Sequence, residues 1–173
     1  IASLVSHSML PFTDAICTPS CFYIDHGAKH IRYNGYHELA YLHPNYFTPD
    51  PSVLDLEGLD KNDKFIITRF SSWDSSHDIG DRGFNFKSRK ETLDFLRALE
   101  RHGRVFITSE VNLGSITDRY KPKTPPESIH HLLSFASLYI GEGATMASEA
   151  GVLGVPWLFV STSRRGYLDD QEK

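Results

Sequence analysis

Between Tyr139 and Pro156 the chain reads YIGEGATMASEAGVLGVP, an apolar strand that runs through a small-residue turn into a helix and then towards a second apolar strand. Few folds accommodate that order. A strand followed by a helix and another strand calls for a crossover connection, and the apolar character of both strands calls for a sheet covered on both faces. Ser137 to Ile140 end the first strand, Ala144 to Leu153 carry helix formers at helical spacing, and Gly154 and Pro156 stop the helix before Trp157 to Val160. Gly141 and Gly143 are expected to let the backbone turn tightly. The first amides of such a helix have no intrahelical partner and the helix dipole adds positive charge there, so an anion is favoured at Gly141, Glu142, Gly143, Ala144 and Thr145. Glu149 follows about a turn and a half later. It is within reach of a ribose hydroxyl if a diphosphate occupies the turn. A strand–turn–helix corner that uses glycine only for geometry has the same composition.

From Lys61 onwards the alternation of strand and helix continues, which predicts a parallel sheet. Phe65 to Phe70 is a near-continuous apolar strand. Ser88 with Glu91 three residues on predicts a capped helix running to Arg101, with Leu93, Phe95, Leu96 and Leu99 facing inward and Gly103 closing it. Arg104 to Thr108 is the next strand and Pro125 to Ala136 the next helix. Upstream, Phe22-Tyr23-Ile24 and Ile31-Arg32-Tyr33 are expected as short strands flanking a turn at His26-Gly27-Ala28. Pro44, Pro49, Asp50 and Pro51 then form a linker that cannot be helical. The fold class is therefore α/β, a Rossmann-like parallel sheet with helices on both faces. Residues 1–60 are read as the end of an amino-terminal domain with an interdomain linker, and 61–173 as an incomplete nucleotide-binding domain. The ends read as part of a longer protein or as a shortened paralogue.

Composition narrows the partners. The chain has 173 residues, 40% of them hydrophobic and 23% charged, enough for a substantial core, and its net charge of −4 supplies no basic footprint for nucleic acid. No apolar run reaches the length of a membrane span and the polar start shows no positively charged region followed by a hydrophobic core, so the expected location is cytoplasmic. Cys17 and Cys21 lack the further Cys or His pair that a zinc site needs, and are read as ordinary buried thiols.

The loop after the first strand is a second place for chemistry. Ser71, Ser72, Asp74, Ser75, His77 and Asp78 lie at the carboxyl end of that strand, where ligands bind in open α/β sheets. Hydroxyls of Ser71 and Ser72 suit a phosphate or sugar, and His77 beside Asp78 suits an acid–base pair, although Ser and Asp also form turns without any function. His77-Asp78 is also similar to metal-dependent phosphohydrolases, but no further ligand pattern accompanies it, and no metal or cofactor is expected. Of His130 and His131, at most one can face the turn, because neighbouring helical residues point about a quarter-turn apart. Arg164, after the last strand, suits a phosphate clamp or an exposed basic loop equally well.

The segment from Gly141 to Pro156 resembles the nucleotide-binding part of UDP-N-acetylglucosamine 2-epimerases and related glycosyltransferases of the two-domain GT-B architecture. In those families a small-residue turn holds the diphosphate, the Glu of a Glu-Ala pair takes the ribose, and Leu-Gly-x-Pro ends the helix. Glu149-Ala150 and Leu153-Gly154-Val155-Pro156 match, whereas the epimerases' Asp-Ser-Gly-Gly turn is replaced by Glu142-Gly143-Ala144-Thr145. A fuller resemblance is to an uncharacterised glycosyltransferase-like family, domain of unknown function 354. It is carried by Tyr33 to Pro44, Arg69 to Asp78, Ile129 to Leu133 with the following turn, and Gly166 to Asp169. These resemblances imply the carboxy-terminal half of a GT-B fold. They also imply a UDP-sugar ligand at the turn, with Glu149 on the ribose and His130 near the base or diphosphate.

Two function classes follow. The first is an enzyme on a nucleotide sugar, a glycosyltransferase before an epimerase because the epimerase turn is altered. The second is a nucleotide-sugar-binding module without catalysis. Whether His77 and Asp78 act on the ligand separates the two.

Overall fold

The computed structural model describes residues 8–71, 82–109 and 114–173. A two-stranded parallel sheet comes first, β1 (Ile16–Pro19) beside β2 (His30–Tyr33), followed by two short helices, α1 (Leu39–Leu42) and α2 (Ser52–Glu57). The main sheet is built from β3 (Phe65–Phe70), β4 (Arg104–Ser109), β5 (Leu138–Gly141) and β6 (Trp157–Phe159). All its pairings are parallel and the spatial order is β4-β3-β5-β6. The connections carry α3 (Arg89–Glu100), α4 (Ile129–Leu133) and α5 (Ala144–Val152), and α6 (Gly166–Gln171) follows the last strand. The expected α/β class with a parallel sheet is thus present.

That order places the helices. Parallel strands are joined by right-handed crossovers, so a connection moving one way across the sheet covers one face and a connection moving the other way covers the opposite face. The β3-to-β4 step moves outward in one direction, whereas β4-to-β5 and β5-to-β6 move in the other. The packing agrees. Phe65, Ile67, Phe106 and Tyr139 share one cluster with Leu132 and Leu133 of α4, Ala147 and Ala150 of α5, and Leu168 of α6. On the other face Phe70, Val105 and Ile107 pack against Leu96 of α3 and Tyr120. Alternate residues of β3 and β4 feed the two faces, as the period of a strand requires. Fully buried side chains such as Ile67, Tyr139 and Leu132 each contribute about 1.5–3 kcal/mol.

Helix α5 is buried along Met146 to Ala150, five consecutive residues, because α1 and α6 cover the side that the sheet leaves open. Its small residues permit that close packing. At its end Gly154 adopts φ 77°, and Val155 N returns a hydrogen bond to Ala150 O at 2.8 Å, as the expected stop signal requires. Ser88 caps α3 by accepting from Glu91 N at 3.3 Å, also as expected.

Several elements differ from the expectation. Phe22-Tyr23-Ile24 is not a strand; β1 lies earlier, and the carbonyls of Ser20, Phe22 and Ile24 are instead taken by the Arg32 guanidinium. The helix expected over Pro125 to Ala136 is a 3₁₀ turn, Pro126–Ser128, followed by the short α4, after which Phe135 and Ala136 make i→i−3 bonds. Gly103 does not cap α3, which ends at Glu100 with Arg101 as its C-cap; it is a point of close approach, where a Cβ would come 2.4 Å from Lys64 O. Cys17 is exposed and Cys21 half-buried, so the first is not a buried thiol.

Hydrogen bonds that tie the amino-terminal segment to the sheet domain include Tyr36 Oη to Asp170 (2.9 Å), Tyr41 Oη to Glu149 (2.8 Å) and Asp50 N to His131 Nδ1 (3.0 Å). Val53, Leu54 and Leu59, on the amino-terminal side of the boundary expected at residue 60, belong to the same core cluster as Phe65. Glu57, 2% exposed, accepts from both Thr124 N and Thr124 Oγ1 at 2.7 Å and so holds the connection into α4.

Candidate functional site

The first connection leaves β3 in one direction and the next returns past it to β5, which makes the carboxyl ends of β3 and β5 the topological switch point of the sheet. A crevice outside the strands forms at such a point because the two flanking connections diverge to opposite faces. Ser71 follows β3 and the Glu142-Gly143 turn follows β5, so the first residue of one loop singled out from the sequence meets the turn of the other here. Thr68 pairs with Ile140 and Arg69 with Gly141, which brings them level.

Gly141 and Gly143 serve close approach, not a left-handed backbone. A Cβ at Gly141 would lie 2.8 Å from Arg69 N and 2.9 Å from Arg69 O, so only glycine lets β5 end against β3. Gly143 has φ −81° and caps α5 without any side-chain bond. A Cβ there would lie 2.6 Å from Arg69 Cδ and 3.1 Å from the Tyr139 hydroxyl. That hydroxyl donates to Gly143 O at 3.0 Å from a side chain whose burial pushes its pKa up. The first bond of the helix runs from Ala147 N to Gly143 O at 3.0 Å, so the amides of Ala144, Thr145 and Met146 precede it. Thr145 is exposed and Ala144 half-buried.

Glu142 is turned inward. Its carboxylate is 8% exposed as a residue and accepts from Ser71 N and Phe84 N, each at 2.8 Å. Glu149, 7% exposed, is also engaged: its Oε1 accepts from the Tyr41 hydroxyl at 2.8 Å and pairs with His130 Nε2 at 3.0 Å. Burial, then the Glu149 bond, raises the Tyr41 hydroxyl pKa. Of the adjacent histidines, His130 faces Glu149, while His131 stacks on Phe47 at 4.8 Å and accepts from Asp50 N. Arg164 is 84% exposed in its side chain and pairs with Asp169 at 3.0 Å. Ser72, His77 and Asp78 lie outside the described residues.

Two contributors entered the sequence reading only inside the Arg69-to-Asp78 and Tyr33-to-Pro44 blocks, Tyr41 as part of a sugar-facing wall or a packed linker, and neither as a partner of Gly143 or Glu149. Arg69 lays its side chain across Gly143; the one signal was a basic residue inside the otherwise apolar run FIITRF. Tyr41 lies more than a hundred residues from Glu149 in sequence, and no local pattern links them.

A third cluster joins β1 to β2: His30 Nε2 lies 2.6 Å from Thr18 Oγ1, and Nδ1 lies 3.2 Å from both Asp25 Oδ1 and His26 N.

Among the described residues no group of three His, Cys, Asp or Glu could hold a metal ion, and no helix is long and apolar enough to cross a membrane. No family model, curated protein or solved structure matches the chain.

Proposed function

We propose that this chain binds a nucleotide sugar, a UDP-sugar in the reading its resemblance implies, at the first turn of α5, as the nucleotide-binding part of a GT-B-like enzyme. The observation that carries this reading is the coincidence of the switch point between β3 and β5 with the start of α5, where the cap Gly143 offers no side chain to the helix amides. Backbone amides there are oriented towards an anion and the helix dipole favours it. Arg69 adds a cation beside Gly143. Glu149 lies further along the same helix, and because Tyr41 and His130 both engage Oε1, Oε2 is the oxygen to accept from a ribose hydroxyl. The Glu142 carboxylate opposes an anion, but two backbone N–H groups offset its charge.

The activity proposed is glycosyl transfer, with helix amides stabilising the departing diphosphate without a metal. The alternatives are an epimerase of the UDP-N-acetylglucosamine 2-epimerase type and a binding module without turnover.

Calorimetric titration with UDP tests the reading: binding is expected, and Glu149→Ala should weaken it by about 1–3 kcal/mol through loss of charge-assisted hydrogen bonds. Absence of UDP binding, or unchanged affinity in the variant, refutes it. His77→Ala separates enzyme from binder. In an enzyme it keeps UDP affinity within a few fold while turnover falls by roughly 10²-fold, the size of a lost general acid or base.

A further inference from the structure

Glu142 stands where a ligand contact is expected, yet both of its oxygens are bonded to the main chain of a single connection. Oε2 accepts from Ser71 N, directly after β3, and Oε1 accepts from Phe84 N, ahead of α3, each at 2.8 Å. One side chain therefore holds both ends of the β3–α3 connection. Gly83 packs so tightly beneath it that a Cβ would come 1.9 Å from Oε1. The same end is tied to the loop after β6, since Arg82 N donates to Thr162 Oγ1 and Thr162 N donates to Arg82 O, both at 2.9 Å. At its root Glu142 continues the sheet, its N donating to Arg69 O at 3.0 Å, and the next residue is Gly143, the cap of α5.

We propose that Glu142 is a positioning residue: it fixes the two ends of the β3–α3 connection against the first turn of α5 and makes their order depend on occupancy of that turn. This inference rests on the nucleotide reading above. A buried carboxylate satisfied by two main-chain donors cannot shift without leaving one of them unpaired, so Ser71, Phe84 and the turn move as one unit. A ligand drawing on the amides of Ala144 and Thr145 restrains Gly143, and with it the backbone that carries Glu142. By reciprocity, loosening the carboxylate lowers affinity for that ligand.

Amide hydrogen exchange on the full chain, with UDP as the probe, tests this. In ligand-free Glu142→Gln the side-chain amide presents an N–H₂ to one of the two donors, so exchange at Ser71 or Phe84 should accelerate roughly tenfold to a hundredfold while Leu96 and Tyr139 stay unchanged. In the unmutated protein saturating UDP should slow exchange at Ala144 and Thr145, and also, by a few fold, at Ser71 and Phe84. The variant should keep the first effect and lose the second. A side chain that is merely structural would not transmit the ligand signal. Protection by UDP at Ala144 and Thr145 with none at Ser71 and Phe84 overturns the proposal, and so does unaltered exchange at both positions in ligand-free Glu142→Gln. If UDP protects nothing at the turn, the nucleotide reading falls, and the ligand-free comparison then decides whether Glu142 holds the connection.

Discussion

The two ends of the candidate site hold a buried glutamate each and hold it differently. Around Glu142 the partners are main-chain amides, and the neighbouring positions are glycines that leave no space for a side chain. Around Glu149 the partners are the Tyr41 hydroxyl and the His130 ring, brought in from α1 and α4. The first arrangement belongs to the sheet itself, since its donors lie where β3 and β5 end. The second depends on side chains from elements that dock on α5, and such contacts can be changed one atom at a time without altering the backbone. The rim around Glu142 should therefore respond to substitution abruptly and the Glu149 end in graded steps.

The largest effect is expected at Gly141→Val. The new Cβ would press on Arg69 N and O, which are ladder atoms and cannot swing aside, so stability should fall by about 2–3 kcal/mol in urea unfolding. A loss no greater than that of the mildest Glu149-side variant would break the comparison at its root.

Gly143→Val is expected to fall between the two ends. Its Cβ meets the Arg69 side chain before any backbone, and because φ is −81° no backbone strain is added, so the stability cost should be about 1 kcal/mol as Arg69 moves away. Affinity for UDP should drop by more than that, because the displaced cation and the new side chain both crowd the helix amides. Equal losses in melting temperature and in affinity would make Gly143 a structural corner only.

The smallest change is expected at Tyr41→Phe, which removes one of the two donors on Glu149 Oε1 and leaves the ring in place. Stability should fall by about 0.5 kcal/mol, with a similar loss of UDP affinity if Glu149 must be held in one orientation. Thermal unfolding together with calorimetry on this variant sharpens the comparison: a fall as steep as that at Gly141 would show that the Glu149 end is as rigid as the rim.

Much of the main sheet was legible in the sequence because its signals are local. Phe65 to Phe70 is apolar over the length of a buried strand, Ser88 and Glu91 stand at cap spacing, and Gly154 follows the last periodic residue of α5. The amino-terminal sheet was less legible. Ile16 to Pro19 has no alternation to announce a strand, and Phe22 to Ile24, which has the composition of one, gives its carbonyls to Arg32. Four-residue strands such as β1 and β2 carry too few positions for a period to show.

The sequence by itself determined the βα alternation, the place of the turn before α5 and the identity of the two acids near it, because hydrophobic period, capping and glycine placement act within a few residues of the chain. Only the tertiary structure decided what those acids touch. The strand order β4-β3-β5-β6 brings Ser71 and Phe84 to Glu142, and the docking of α1 and α4 on α5 brings Tyr41 and His130 to Glu149. A carboxylate's partners are chosen by which donors the packed core leaves within 3 Å of it, and donors up to 108 residues away have no local sequence signature.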